Sequence, residues 1–283
     1  MSGPQVLLEG VAFGESPRWH DGRLWFSDWG AQEVVAVDEA GSKEVIVRVD
    51  FPAFPMCIDF APDGRLLVVA GRDGRLLRRE PDGSLAGRAD LGRLSTSPWN
   101  DIVVDRAGNA YVGNIGFDFP AGEFAPGTVA VVKPDGTARQ VADALGFPNG
   151  MAITPDERTL IVAESYAERL TAFEIDGDGG LRERRVWAET PGDHPDGICV
   201  DADGAVWYAD VGNKHCVRLR EGGGVLDTLT CDRGCFACML GGADGSTLFI
   251  VAQEWGGPEG MRRGARTGQV LTAPAPVPRA GRP

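Results

Sequence analysis

The chain has 283 residues, with 28 Lys+Arg against 41 Asp+Glu and a formal net charge of −13. That balance is the wrong sign for tracking a phosphate backbone or docking on anionic lipid, so neither nucleic acid nor a membrane is an expected partner. No stretch reaches the roughly 18 apolar residues of a membrane helix, Met1-Ser2-Gly3-Pro4-Gln5 carries no secretory signal, and six cysteines are too sparse for a disulfide scaffold, which points to reduced thiols and a cytoplasmic location.

Taken in chain order, Val6-Leu7-Leu8 opens as a short strand. Asp21-Gly22 then splits two apolar runs into a hairpin, because Asp-Gly accepts the positive φ of a primed turn. Gln32–Val37 and Glu44–Val47 supply a third and fourth strand. The same unit returns after Asp63-Gly64, Ala107-Gly108, Asp156-Glu157, Asp203-Gly204 and Asp244-Gly245. Its first apolar residues are Leu24, Leu66, Ala110, Leu160, Val206 and Leu248, spaced 42 to 50 residues apart. About four strands per 40–50 residues is the period of a propeller blade. The expected fold is therefore all-β: a six-bladed β-propeller with four-stranded antiparallel blades, forming a single domain over residues 1–271. N- and C-terminal strand closure should pair Val6-Leu7-Leu8 with Gln269-Val270-Leu271 and hide both edges. The Pro-rich tail 272–283 reads as disordered.

Repeats allow equivalent positions to be compared. The residue seven or eight places before each turn should face the mouth of the central channel: Glu15, Met56, Asn100, Asn149, Asp196 and, in the sixth blade, Ala237 or Cys238. Two carboxylates and two amides on one axis, with no Lys or Arg among them, would suit a hard divalent cation such as Ca²⁺, Mg²⁺ or Mn²⁺. The plainer alternative is that they cap strand ends in solvent. The second strands end in Asp28, Asn114, Glu164 and Asp210, which either orient ligands or terminate strands.

Phe13-Gly14-Glu15-Ser16-Pro17-Arg18-Trp19, Asn100-Asp101, Pro148-Asn149-Gly150-Met151-Ala152 and Pro195-Asp196-Gly197-Ile198 closely resemble the signatures of the senescence-marker-protein (regucalcin)/gluconolactonase/luciferin-regenerating-enzyme family. The resemblance spans roughly residues 4 to 271. It implies a metal-dependent lactonase, a carboxylic ester hydrolase with one divalent metal in the channel, Ca²⁺ first and Mg²⁺, Mn²⁺ or Zn²⁺ as alternatives. Carried over residue by residue, Glu15, Asn149 and Asp196 would ligate the metal, and Asn100 would be a longer-range ligand or a substrate contact. Asp196 would be the catalytic base, with Glu15 the second candidate. Substrate contacts are expected at Asn100, Asp118, Trp99 and His194. The expected partner is a small-molecule lactone or ester, and the expected assembly a monomer or weak homodimer.

One departure concerns substrate. Sugar-lactonase members often carry an Arg two residues before the third-blade Asn, and this chain has Pro98 there. With Trp99, Phe117, Phe119 and Phe147 close in sequence, the pocket should be more apolar than a sugar-acid site, overhung by the 114–128 loop. Two competing readings keep the propeller: an organophosphate or ester hydrolase on the same site, and a non-enzymatic calcium-binding propeller. Cys231, Cys235 and Cys238 have a spacing that superficially matches an iron–sulfur motif, but no companion feature exists, and Cys238 reads as a small channel residue. Asp176-Gly177-Asp178 lacks the later residues of an EF-hand loop and reads as a turn.

Overall fold

A computed structural model describes residues 3–257 and 266–281. The first blade is β2 (Gly14–His20), β3 (Arg23–Asp28), β4 (Glu33–Val37) and β5 (Lys43–Arg48). The second is β6 (Met56–Phe60), β7 (Leu66–Ala70), β8 (Arg75–Arg79) and β9 (Leu85–Asp90). The third is β10 (Trp99–Val104), β11 (Ala110–Asn114), β12 (Gly127–Val132) and β13 (Ala138–Leu145). The fourth is β14 (Pro148–Ile153), β15 (Thr159–Glu164), β16 (Arg169–Ile175) and β17 (Leu181–Glu189). The fifth is β18 (Pro195–Val200), β19 (Val206–Asp210), β20 (His215–Arg220) and β21 (Gly224–Thr230). The sixth joins β22 (Gly234–Gly241), β23 (Thr247–Gln253) and β24 (Gly268–Pro274) to β1 (Gln5–Val11).

Each blade is a four-stranded antiparallel sheet, and the six innermost strands pack on one another around a closed ring. The closure pairs Val6 with Leu271, Leu8 with Val270 and Glu9 with Gln269, as the terminal apolar triplets predict. Inner strands such as β6 are buried along their whole length because neighbouring blades cover both faces, and even its one charged residue, Asp59, is buried. Outer strands such as β21 face solvent, where Asp227, Thr228 and Thr230 stand beside the exposed Val225 and Leu226.

Two expectations change. Only Asp21 and Gly22 both take positive φ, giving the primed two-residue turn. In the second, third and fifth blades the turn is one residue wider: Gly64, Gly108 and Gly204 each donate to the carbonyl three residues back and hold the left-handed position, whereas the longer sixth-blade turn uses two, Gly242 and Gly245. The tail also differs. β24 continues through Pro274, and Ala275, Arg279 and Ala280 donate backbone hydrogen bonds to Ser246, Gly245 and Val200 at 2.7, 2.9 and 3.3 Å. Prolines cannot donate, but Pro278 still accepts from Ala202, so the few available donors and acceptors suffice to lay residues 275–281 along the blade ends. Arg282 and Pro283 lie outside the described residues.

Candidate active site

The heads of the inner strands are bulged. The register slips between Glu15 and Arg18, between Trp99 and Asp101, between Pro148 and Met151, between Pro195 and Ile198, and between Cys235 and Ala237. A bulge inserts an unpaired residue and re-aims its side chain. Asn100, Asn149, Asp196 and Phe236 are left unpaired in this way, Glu15 stays paired with Ser27 immediately before the first-blade slip, and all five line one cavity of about 370 Å³ at the channel mouth. Gly150 and Gly197 follow two of them because the blades nearly touch there. A Cβ on Gly150 would sit 2.5 Å from the Asp196 carbonyl oxygen, and one on Gly197 would sit 2.3 Å from the Ala237 Cβ. In the first blade Ser16 takes that place with φ 52°, its Oγ tied to the Ile58 backbone at 2.9 and 3.2 Å.

The strand β6 pairs with β7 without a slip, so Met56 stays buried and Phe54 and Pro55 line the cavity instead. In the sixth blade the bulge turns Phe236 outward to the cavity, while Ala237 and Cys238 line a small void deeper in the channel. Trp99 is a correction too. It is adjacent to the displaced Asn100 and points the other way, buried among Cys57, Val69 and Leu91 between blades. Asp118 is the other. It does not line the cavity; its exposed carboxylate pairs with Arg72 at 2.7 Å, and the same guanidinium holds the Phe119 carbonyl at 2.8 Å.

Two further rings were not read from the repeats, although the repeats contain them. The residues two before Glu15, Met56, Asn100, Asn149 and Asp196, which are Phe13, Phe54, Pro98, Phe147 and His194, also line the cavity. The residues just after the second strands, Trp29, Ile115, Ser165 and Val211, form the other ring. Asp28, Asn114, Glu164 and Asp210, immediately before these, are strand-end clamps. Asp28 accepts from Ala12, Phe13 and Ala31 N–H, Glu164 from Gly146, and Asp210 from His194 and Asn213. Asn114 bonds Ser97 and Gly116.

The polar floor is connected. Asn100 Nδ2 donates to Asn149 Oδ1 at 2.9 Å, Asn149 Nδ2 to Ser165 Oγ at 3.2 Å, and Ser165 Oγ to the Pro195 carbonyl at 2.7 Å. His194 Nδ1 lies 2.8 Å from the Ser165 carbonyl, which assigns the proton to Nδ1 and leaves Nε2 an acceptor. Burial pushes Glu15 up to about 8, with the nearby Asp101 carboxylate reinforcing it against the Ser16 N–H and Arg18. Burial first, and then repulsion from Glu15, Asp210 and Asp101, hold Asp196 well above the carboxylate range despite a hydrogen bond from Asn149. Two carboxylates that repel one another beside two amide oxygens are an oxygen donor set that a divalent cation would satisfy. The donors therefore fit such an ion, and Glu15, Asn149 and Asp196 would hold it.

A second group brings ligand atoms of Asp193, Asp210 and His215 within 4.8 Å of one another. Its acceptors are already engaged: Asp193 receives Tyr208 Oη, Asn213 Nδ2 and lies 2.9 Å from His215 Nε2. It braces the loop beneath His194. Cys231, Cys235 and Cys238 are buried in the apolar packing of the fifth and sixth blades, with Cys238 Sγ 3.7 Å from the Gly197 carbonyl. The Asp176 carboxylate accepts from Asp178 and Gly180 N–H, a turn as expected.

Above the floor the cavity is aromatic. One wall stacks Phe13 on Trp29 at 5.1 Å, with Phe54 and Phe236 edge-on and Trp255 beyond. The opposite wall is Phe119, Phe147 and Tyr166, with Phe119–Phe147 centroids 5.2 Å apart and Phe147–Tyr166 4.8 Å apart. Phe117 supports it from behind.

A pentonolactonase of Haloferax volcanii is 30% identical over 270 residues, 92% of this chain and 82% of the relative. A diisopropyl-fluorophosphatase of Loligo vulgaris is 30% identical over 219 residues, 69% of this chain and 68% of the relative. Among solved structures, a calcium-binding regucalcin from Agrobacterium tumefaciens superposes with a TM-score of 0.81 at 22% identity, covering 99% of this chain and 95% of its own. The profile of the SMP-30/Gluconolactonase/LRE-like region matches residues 13–254, and the chain belongs to that family.

Proposed function

We propose that the protein is a divalent-metal-dependent hydrolase that opens a lactone or related cyclic ester at the channel mouth. The observation that carries this reading is the convergence of Glu15, Asn149 and Asp196 on one cavity floor, with both carboxylates destabilised as anions by burial and mutual repulsion. The pentonolactonase relative supports the reaction, and the relative described as calcium-binding supports Ca²⁺ as the first ion to try. A cation held there would act as a Lewis acid toward the lactone carbonyl and lower the pKa of a neighbouring water.

The chain's own residues supply the rest. The Asp196 carboxylate takes a proton from the attacking water as its oxygen bonds to the carbonyl carbon. When the ring C–O bond breaks, that proton passes to the leaving alkoxide, so water adds across the bond and the carboxylate is regenerated. Asn100, fixed by Asn149, offers its amide to a substrate oxygen, and His194 Nε2 offers an acceptor to a substrate hydroxyl or to the water. Phosphate triesters form the second reading, favoured by the fluorophosphatase relative.

The test is a panel of sugar lactones, alkyl and aryl lactones, aryl esters and phosphate triesters, after chelation and with Ca²⁺, Mg²⁺, Mn²⁺ or Zn²⁺ restored. Lactone opening that disappears with chelator and returns with one ion supports the proposal. Lactone opening unaffected by chelation, or none under any ion, contradicts it.

A further inference from the structure

The cavity divides sharply into a polar floor and apolar walls. Among the described lining residues the polar side chains are Glu15, Asn100, Asn149, Ser165, His194 and Asp196, which make up the floor, with Tyr166 and the indole of Trp255 at exposed positions on the walls. Most of that floor is engaged internally: Asn100 with Asn149, Asn149 with Ser165, Ser165 with Pro195. The Trp29 indole N–H, which could otherwise serve a substrate hydroxyl, is turned away to Ser27 Oγ and the Met56 carbonyl. No Lys or Arg lines the cavity among the described residues, and Arg72, near its rim, is spent on Asp118, Phe54 and Phe119.

From this arrangement we infer that the substrate is uncharged and carries an apolar body of about the size of an aromatic ring, seated between the Phe13–Trp29–Phe236 wall and the Phe119–Phe147–Tyr166 wall. The inference rests on the hydrolase reading only for the bond that reacts; what it adds is the recognition of the rest of the molecule. A polyhydroxylated sugar ring would meet ring faces and edges where its hydroxyls need partners, and each hydroxyl buried without one costs roughly tenfold in affinity. An aryl or short-alkyl ring meets aromatic faces and edges already ordered by stacking and edge contacts within each wall. The ester group then lies over the one floor that has polar groups.

The loop carrying Phe119 is the adjustable part of this selectivity. Arg72 ties its Asp118 carboxylate and Phe119 carbonyl to the Phe54 carbonyl of the second blade, so one guanidinium sets the distance between the rim of one wall and the rim of the other. Asp118 thus bears on specificity by holding Phe119 in place, and not by touching substrate.

Binding and turnover separate this inference from the hydrolase reading. The probes are 3,4-dihydro-2-quinolinone, a lactam that resists hydrolysis, and D-gluconolactam, titrated into the metal-free and Ca²⁺-loaded protein by calorimetry and by quenching of Trp fluorescence. The aryl lactam should bind at least tenfold more tightly than the sugar lactam. Tyr166→Ala, at an exposed position, and Phe119→Ala, on a loop, should each weaken the aryl lactam about tenfold while changing gluconolactam less than threefold. Dihydrocoumarin should likewise exceed D-glucono-δ-lactone in kcat/KM. Tighter aryl binding without hydrolysis of any lactone would uphold this inference and defeat the hydrolase reading. Equal or tighter binding of the sugar lactam, with or without turnover, would overturn the inference whatever the fate of the hydrolase.

Discussion

Along the inner strands, Asp59 and Asp101 face Arg18, whereas at the channel mouth Glu15 and Asp196 face amides and each other. Arg18 donates to Asp101 Oδ1 at 3.2 Å and to the Pro17 carbonyl at 2.8 Å, and its Nε lies 3.7 Å from Asp59. All three side chains are buried. Burial pushes Asp59 only up to about 6, because Arg18 and two backbone N–H groups pull it back. Asp196, which feels the Asp101 carboxylate but no such cation, stands well above its ordinary range. The lower pair is neutralised by a charge built into the chain, and the upper pair is left for one that can come and go. A permanent guanidinium suits a structural hub; an open acidic site suits chemistry.

The largest expected effect breaks the upper group. Asp196→Asn should lower kcat/KM for the best lactone by 10² to 10⁴-fold, the range lost with a general base. Because it removes a repelled carboxylate, the metal-free variant should melt no lower than the parent. A full-activity variant would remove Asp196 from the mechanism.

Breaking the lower group should do the reverse. Arg18→Met leaves Asp59 and Asp101 buried without their cation, and urea titration should report a loss of about 3–5 kcal/mol. A variant as stable as the parent would mean that Arg18 is not the hub.

A smaller change joins the two regions. Gly197→Ala places a Cβ 2.3 Å from that of Ala237 and 2.6 Å from its Cα, so the bulge bearing Asp196 must shift. Overpacking of this kind costs about 1–3 kcal/mol, and turnover should fall as well, read as a drop in kcat with the fold retained by circular dichroism.

The smallest effect concerns Glu164, another carboxylate held by its own arginines. Burial alone would raise its pKa, but hydrogen bonds from Arg169, Thr171 and the Gly146 N–H outweigh that and lower it. A lowered folded-state value adds stability that is complete above the ordinary Glu range and is lost as pH falls through the folded value. Denaturation midpoints should therefore drop on acidification below about pH 4.5, and Glu164→Gln should be less stable at neutral pH with a shallower acid slope.

These regions were unequally legible in the sequence. Glu15, Asn100, Asn149 and Asp196 are legible because the repeats align them at the heads of their strands. Trp99, Met56, Ala237 and Cys238 were misplaced for a single physical reason. A bulge shifts alternation by one residue, its presence in five blades and absence from the second is not written in hydropathy, and one step flips a side chain from channel to core. Asp118 was misplaced because nothing local reveals that Arg72, 46 residues away, would claim it. The ring of Phe13, Phe54, Pro98, Phe147 and His194 lies two residues before the aligned strand heads of the first five blades. The tail was missed because its hydrogen bonds are long-range and few.

The most direct test of the central proposal is a crystal grown with Mn²⁺ and read by anomalous scattering. The account predicts one strong peak bonded by Glu15, Asn149 and Asp196. A peak at Asp193, Asp210 and His215, with density at the channel mouth explained by water alone, would contradict it.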